Sequence, residues 1–291
     1  MRATKNYFFI TADMEAGATT GIKGHNGKDL ILDKTMGSAK YTYATQHGVI
    51  DSVPGRVDKN FRYDIDLKPG EKVYFHHFVV RDKNKYEIEG RTLFASNYFN
   101  LWCVIRDGKI VMLEDMLLFE KILEPEENMF MGDFQVKSRR DFIPNMGRVT
   151  HVSKQVSEAG INPGDVILHV KDADYDINIE GNKYFKTQIN SIICVQKNGG
   201  LEPQSDQLLV VPVKQTEIRL NLLLVKTQRE SQLKGVVLKV GSDVKNVKVG
   251  DEIIYFNGLN SEVNYDGEEY SVIKEEYIVG VLEDHLTPAQ A

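Results

Sequence analysis

The chain has 291 residues, of which 42% are hydrophobic and 27% charged, proportions that exclude a disordered chain. Its net charge of −6 excludes the overall basic field that drives binding to nucleic acids or to anionic membranes. No apolar run reaches the roughly 18 residues of a transmembrane helix, and the N-terminal apolar stretch is too short for a signal peptide. We therefore expect a cytoplasmic protein with buried, reduced cysteines at Cys103 and Cys194.

One short phrase occurs three times along the chain, as "KPGEKVYFH" from Lys68, "NPGDVILHV" from Asn162 and "KVGDEIIYF" from Lys248. Each copy combines a glycine, an acidic residue and an apolar run, which predicts a turn followed by a strand. Upstream of the copies, the segments "GVIDSVP", "GRVTHVS" and "GVVLKVG" alternate apolar and polar residues, as half-buried strands do. The repetition predicts three units with the same order of elements.

A second glycine follows the repeated phrase at a fixed distance. The interval from Gly164 to Gly181 equals the interval from Gly250 to Gly267, and an acidic residue precedes both Gly181 and Gly267. The equal spacing predicts a hairpin that these two units share without an insertion.

The first unit is expected to carry an insertion in that hairpin. Its matching glycine is taken as Gly108, and the interval from Gly70 to Gly108 is more than twice as long as in the other units. The interval contains the aromatic residues Tyr98, Phe99 and Trp102, which fit a local core and an interface equally well, so both alternatives stay open.

The units are placed at residues 1–124, 125–199 and 200–285, with a short tail at 286–291. Polar, Gly and Pro residues near Glu124-Pro125 and near Asn198-Gly199-Gly200 interrupt the strands at the two boundaries.

The loop between the first two strands of each unit is predicted to differ in length. It is longest in the first unit, from Phe8 to Gly48, and shorter in the third, from Leu208 to Gly235. In the middle unit the interval from the expected first strand at Met129 to Gly147 is less than half that of the first unit, so the middle unit is expected to lack the loop.

No constellation of catalytic residues is visible in the sequence. The acids of "DADYDINIEG", from Asp172 to Glu180, alternate as on the solvent side of a strand, although a metal site there stays a minor alternative. His76 and His77 would point to opposite faces of a strand and so could not share a metal. We expect no catalytic residue, no metal and no cofactor, and therefore a protein that binds or assembles rather than an enzyme.

The third unit resembles the GroES co-chaperonin family along its whole length. The residues that carry the resemblance are "GVVLKVG" from Gly235, the turn Lys248–Asp251, Phe256-Asn257 and the closing "YIVGV" from Tyr277. Members of this family are small β-barrels that assemble into a ring and cap a chaperonin. The resemblance therefore implies an all-β chain of three tandem GroES-like barrels.

The resemblance also implies residues that bind a partner. In this family a flexible loop between the first two strands carries an apolar tripeptide that docks on the chaperonin, with capture that depends on ATP. The tripeptides at this place in the first and third units are Leu30, Ile31, Leu32 and Leu222, Leu223, Leu224.

Two functions remain open from the sequence. The first is a homo-oligomeric co-chaperonin in the cytoplasm, and the second is a structural protein of a bacteriophage virion that uses the same barrel in a ring, collar or capsid ornament. Fold alone does not fix function. Whole three-unit chains tile only those rings whose number of units is a multiple of three, unlike the family's usual one-unit chains.

Overall fold

The computed structural model describes residues 3, 6–12, 19–23, 29–33, 45–54, 66–124, 128–131, 134–137, 141–213 and 232–282. Strands dominate these residues, which form sheets of seven, seven and six strands and two separate two-stranded hairpins. This confirms the expected all-β fold class with three tandem β units. Within the described part of the chain, no helix is long and apolar enough to cross a membrane.

The first sheet has the strand order β6-β7-β1-β4-β5-β8-β9, and β2 and β3 form a separate hairpin. The strands are β1 (Tyr7–Thr11), β2 (Thr19–Lys23), β3 (Asp29–Asp33), β4 (His47–Ser52), β5 (Lys72–Phe75), β6 (Lys85–Ile88), β7 (Arg91–Asn97), β8 (Leu101–Arg106) and β9 (Lys109–Met112).

The second sheet repeats this order as β15-β16-β10-β13-β14-β17-β18, with β11 and β12 as a separate hairpin. A short helix, α1 (Lys154–Glu158), follows β13, and the Ser153 side chain caps it by accepting from the Val156 amide. The strands are β10 (Met116–Leu123), β11 (Asn128–Met131), β12 (Phe134–Lys137), β13 (Phe142–Val152), β14 (Val166–His169), β15 (Tyr175–Ile179), β16 (Asn182–Gln188), β17 (Ile192–Lys197) and β18 (Gly200–Pro203).

The third sheet has the order β22-β23-β19-β20-β21-β24. It matches the other two sheets strand for strand, except that no described strand follows β24 as β9 follows β8 and β18 follows β17. Its strands are β19 (Gln207–Pro212), β20 (Gln232–Val240), β21 (Glu252–Phe256), β22 (Ser261–Tyr265), β23 (Glu268–Lys274) and β24 (Ile278–Leu282).

The repeated phrase forms the same turn in all three sheets. Its glycines Gly70, Gly164 and Gly250 have φ of +90°, +97° and +94°, which side chains other than glycine rarely adopt. In each sheet the amide of this glycine donates to a carbonyl of the preceding long strand: Ile50 at 2.7 Å, Val149 at 2.8 Å and Val237 at 2.8 Å.

The hairpin glycine of the first sheet is Gly90 rather than Gly108. Glu89-Gly90 joins β6 to β7, with φ of 53° and 75°, just as Glu180-Gly181 joins β15 to β16 with 50° and 85°. Asp107-Gly108 instead joins β8 to β9 with φ of 50° and 72°. Both turns have two positive φ values and an acid-Gly sequence, so the sequence could not distinguish them, and the expected insertion is replaced by a hairpin common to all three sheets.

The second sheet begins earlier than the sequence suggested. Its first strand is β10, which pairs with β16 from Met116 opposite Gln188 to Phe119 opposite Phe185. The boundary placed at 124/125 therefore falls after this strand, within the connection from β10 to β13. That connection carries the hairpin β11–β12, in place of the loop-less connection that was expected.

The chain divides into two compact units, residues 1–121 with 149–164 and 174–189, and residues 122–148 with 165–173 and 190–291. The first unit holds the first sheet with β15, β16 and most of β10. The second unit holds β14, β17 and β18 with the third sheet. Each outer sheet has its own core, which includes Phe8, Ile10 and Phe75 in the first sheet and Leu208, Ile253 and Tyr255 in the third.

Candidate docking hairpins and the surfaces that join the sheets

The tripeptide Leu30-Ile31-Leu32 lies in β3 and so forms part of a paired hairpin. The register sets Leu32 opposite Thr20, Ile31 opposite Gly21 and Leu30 opposite Ile22. Since strand positions alternate between faces, Leu30 and Leu32 share one face with Thr20 and Ile22, whereas Ile31 belongs to the other. The tripeptide is therefore split between an apolar face and a mostly polar face.

A second hairpin of the same kind belongs to the second sheet and was not predicted from the sequence. Strands β11 and β12 pair with Met129 opposite Val136 and Met131 opposite Phe134, so these four positions share one apolar face. The signal was the period-two alternation of Met129 and Met131 before the dipeptide Gly132-Asp133, which favours a two-residue hairpin. Leu222, Leu223 and Leu224 lie outside the described residues.

The three aromatic residues of the first sheet occupy different environments. Tyr98 packs in the core of the first sheet against Phe8, with ring centroids 5.7 Å apart. Trp102 is also buried, in a cluster that joins the first sheet to strands of the second. Phe99 is 53% exposed, in contrast to the other two residues.

This cluster, within the first compact unit, joins the β5–β8–β9 side of the first sheet to β10 and β15 of the second. At its centre the Trp102 ring meets Tyr175 edge to face at 4.9 Å, with the Lys186 ammonium 5.1 Å from its centroid. The buried members are Tyr74, Trp102, Cys103, Met112, Met116, Leu118, Ile177 and Ile179.

A polar rim borders the cluster. The Lys72 ammonium lies 2.6 Å from Glu180 Oε1, and the Tyr74 hydroxyl donates to the same oxygen at 3.0 Å. The hydrogen bond from Lys72, together with that from Tyr74, holds the pKa of Glu180 below its usual value. Because the Lys72 and Glu180 side chains are 39% and 54% exposed, their ion pair contributes little to stability.

A second cluster, within the second compact unit, joins β14, β17 and β18 to β19, β22 and β23. Its rim is made by Gln196, whose side-chain amide donates to the Tyr265 hydroxyl at 2.9 Å, and by an ion pair of Lys239 with Glu202 at 2.7 Å. The buried members are Leu168, Ile193, Cys194, Leu201, Leu209, Val263 and Val272.

The two adjacent histidines lie in the turn after β5 and not in a strand, so the alternation argument does not apply to them. Their ring centroids are 4.4 Å apart. His77 Nδ1 forms a hydrogen bond with the Tyr175 hydroxyl, and Gln46 Nε2 donates to that hydroxyl at 3.3 Å. Burial lowers the pKa of His76, and the positive charges of Lys186 and Arg81 lower it further.

The alternating acids from Asp172 to Glu180 make lysine contacts. Asp174 lies 2.6 Å from Lys121, and Asp176 lies 3.6 Å from Lys183. Among the residues that the structure describes, no group of three or more His, Cys, Asp or Glu side chains is arranged to hold a metal ion.

Comparison with known proteins gives one family. Residues 200–282 match the family model of the chaperonin 10 Kd subunit. A co-chaperonin GroES of Orientia tsutsugamushi is 31% identical over 87 residues, which are 27% of this chain and 93% of that protein. One of Myxococcus xanthus is 31% identical over 93 residues, 28% of this chain and 97% of that protein.

A shorter match is closer in sequence. The co-chaperonin GroES of Thermodesulfovibrio yellowstonii is 44% identical over 55 residues, which are 19% of this chain and span 62% of the length of that relative. Each of these relatives therefore corresponds to less than a third of the chain, the size of a single sheet unit.

Proposed function

Because the chain belongs to the chaperonin 10 (GroES) family through its third sheet, we propose that it acts as a co-chaperonin. It would bind a chaperonin in the cytoplasm as a homo-oligomer and cap it, without an enzymatic activity of its own. The observation that carries the proposal is the family match over residues 200–282. No observation favours the virion role, so it is not proposed.

The docking segments that we propose are the hairpins between the first and second strands of the sheets. The β2–β3 hairpin follows β1, and the β11–β12 hairpin follows β10, so both lie at the place where the third sheet has its connection from β19 to β20. Each hairpin sets four apolar or weakly polar positions on one face. In the third unit, Leu222, Leu223 and Leu224 are proposed to serve the same purpose.

Three docking segments in one chain have an energetic consequence. Two leucines buried on a partner give about 3–6 kcal/mol in gross terms, from which the ordering of the segment is subtracted. One hairpin alone would therefore bind weakly. Once one hairpin of a molecule is bound, the others bind at an effective concentration that is set by the chain linking them. The whole molecule can therefore bind more tightly than any single hairpin.

The test is capture of the protein by a chaperonin with and without ATP. Leu30→Asp together with Leu32→Asp places charges on the apolar face of the β2–β3 hairpin, and we expect capture to weaken at least tenfold. Ile31→Asp is the matched control on the other face and should weaken capture less. Equal loss in both variants would contradict docking through one face.

Melting temperatures complete the design. A docking segment contributes little to the core of its sheet, so the variants should melt like the original chain. Early melting of the double variant would mean that Leu30 and Leu32 pack inside their own unit, where an unpaired carboxylate is costly, and would defeat the docking role.

A further inference from the structure

The contact between the first sheet and the second has a histidine at its border. We call the cluster around Trp102 the first junction and the cluster around Cys194 the second junction. The centroid of the His76 ring lies 5.6 Å from that of Trp102 and 5.1 Å from that of Tyr175. Trp102 belongs to the first sheet and Tyr175 to the second, so His76 packs on both sides of the first junction.

A hydrogen bond fixes which ring nitrogen of His76 carries the proton. The Phe78 amide donates to His76 Nδ1 at 3.2 Å. A ring nitrogen that accepts a hydrogen bond cannot itself carry a proton, so the neutral ring has its proton on Nε2. A second proton must go to Nδ1, and it removes the acceptor of the Phe78 amide.

The charged groups that act on His76 are two cations. They are the Lys186 ammonium of β16 and the Arg81 guanidinium of the turn after β5. Asp115 acts on Lys186 from the connection before β10. Burial, together with the two cations, lowers the pKa of His76, so the ring is neutral at neutral pH. The titratable side chains whose rings pack on it are His77 and Tyr175.

The same turn in the second sheet has no histidine at this position. His76 and Val170 each lie six residues after the glycine of the repeated phrase. The His76 amide donates to the Asn100 carbonyl and the Val170 amide to the Ser191 carbonyl, both at 2.9 Å. The backbone of the turn therefore does not require histidine, and His76 adds a group that titrates.

We propose that His76 is a pH-sensitive switch, which loosens the first junction when the ring gains a proton. Three changes coincide at that step. The Phe78 amide loses its acceptor, a positive charge appears near Lys186 and Arg81, and that charge lies among aromatic rings that partly shield it from water. Each change weakens the contact of this turn with Tyr175. The inference goes beyond the proposed function and does not depend on it.

The switch should act on the acid side of the ordinary pKa of histidine. The pKa of His76 in the folded chain is below the ordinary value of 6.5, which the unfolded chain keeps. Between these two values the unfolded chain binds more protons, so the free energy of unfolding falls as pH falls. Glu114 has the opposite effect, because burial raises its pKa. The two groups therefore differ in the sign of their effect.

The test follows the fluorescence of Trp102, the single tryptophan of the chain. As pH is lowered from about 8 to about 5, we expect its emission to shift reversibly to longer wavelength. The midpoint should lie below 6.5. Far-UV circular dichroism should not change, because the strands stay paired. Unchanged emission over this range, or loss of the circular dichroism signal at the same pH, would overturn the proposal.

Variants of two histidines assign the transition. His76→Asn keeps an acceptor for the amide two residues later but does not titrate, so Trp102 emission should not shift. His76→Val, which copies Val170, should give the same result. His151→Asn is the matched control, since burial also lowers the pKa of His151, whose ring packs on Tyr184. This control should keep the transition. A transition that persists without His76, or that is lost without His151, would contradict the assignment.

Two further variants test the neighbouring charges. Lys186→Met removes one of the two cations, so His76 should gain its proton more readily and the midpoint should move to higher pH. A midpoint that stays in place or moves to lower pH would contradict the role of Lys186. Glu114→Gln removes another group that titrates in this range, and the transition should remain. Its loss would assign the transition to Glu114 and overturn the proposal.

Discussion

Replacing Trp102 by Ala should cost more stability than any other single truncation in the first junction. Trp102 is the single tryptophan of the chain and only 2% exposed. A buried tryptophan removes about 200 Å² from water, which corresponds to about 5 kcal/mol at about 25 cal/mol per Å². A buried alanine side chain still contributes a small part of this free energy. We therefore expect Trp102→Ala to lower the free energy of unfolding by about 3–5 kcal/mol, as for other buried aromatic residues.

The measurement is denaturation by guanidinium followed by far-UV circular dichroism, since the variant lacks the fluorophore. In the original chain, Trp102 fluorescence should report the opening of the same junction, because the indole packs on Tyr175 of β15. Phe99→Ala is the control three positions away. Its ring is exposed, and its loss should change stability by less than about 0.5 kcal/mol.

A loss below about 1 kcal/mol for Trp102→Ala would refute the reasoning, because buried aromatic residues ordinarily cost several times more. It would mean that packing between the first sheet and β15 does not stabilise either of them. The cluster around Trp102 would then contribute little to the free energy of unfolding. The fluorescence transition of the original chain would then occur well before the transition seen by circular dichroism.

Two further predictions concern single positions. Burial, with the charge of Asp115, raises the pKa of Glu114 to about 7, so the folded chain retains a proton that the unfolded chain loses above its value of 4.5. The free energy of unfolding should fall as pH rises from 4.5 to about 7. Glu114→Gln should remove about 1–2 kcal/mol of that loss, after allowance for partial exposure. If the melting temperatures of the original chain and the variant change in the same way from about pH 5 to 8, the prediction is wrong. Gly235→Ala places a Cβ 2.3 Å from Val210 Cγ1, whereas nothing lies within 4 Å of one at Gly280. The first should cost about 1–3 kcal/mol and Gly280→Ala much less, so equal melting temperatures would contradict the tight packing at Gly235.

The repeated turns were predictable because they depend on local chemistry. A left-handed residue at Gly70, Gly164 or Gly250 requires glycine, and the acid after it marks the same turn each time. The same dependence on local sequence explains why Gly108 was wrongly taken as the counterpart of Gly181. Asp107-Gly108 and Glu89-Gly90 form the same kind of turn, and only strand pairing shows which of them corresponds to Gly181.

The start of the second sheet was not predictable because no linker marks it. Only Leu113-Glu114-Asp115 separates β9 from β10, and the run Met116 to Phe119 is fully buried, as a strand inside one continuous unit would be. The boundary predicted at 124/125 falls between β10 and β13, which both belong to the second sheet. Exposed linkers are recognised by their composition over several residues, and a connection of three residues between two strands is too short for this.

The contacts between successive sheets could not be predicted from the sequence, for a different reason. Which residues around Trp102 and Tyr175 meet depends on how one sheet packs on the next, and no periodicity along the chain records that contact. Equally, the sequence treated Leu30, Ile31 and Leu32 as one anchor, whereas the pairing of β3 with β2 divides them between two faces.

The short connections between successive sheets also favour the two junctions within the chain. Leu113–Asp115 and Gln204–Asp206 hold successive sheets together, so an internal junction forms without the loss of translational freedom that two separate chains incur. Dilution should therefore leave both internal junctions of the chain closed.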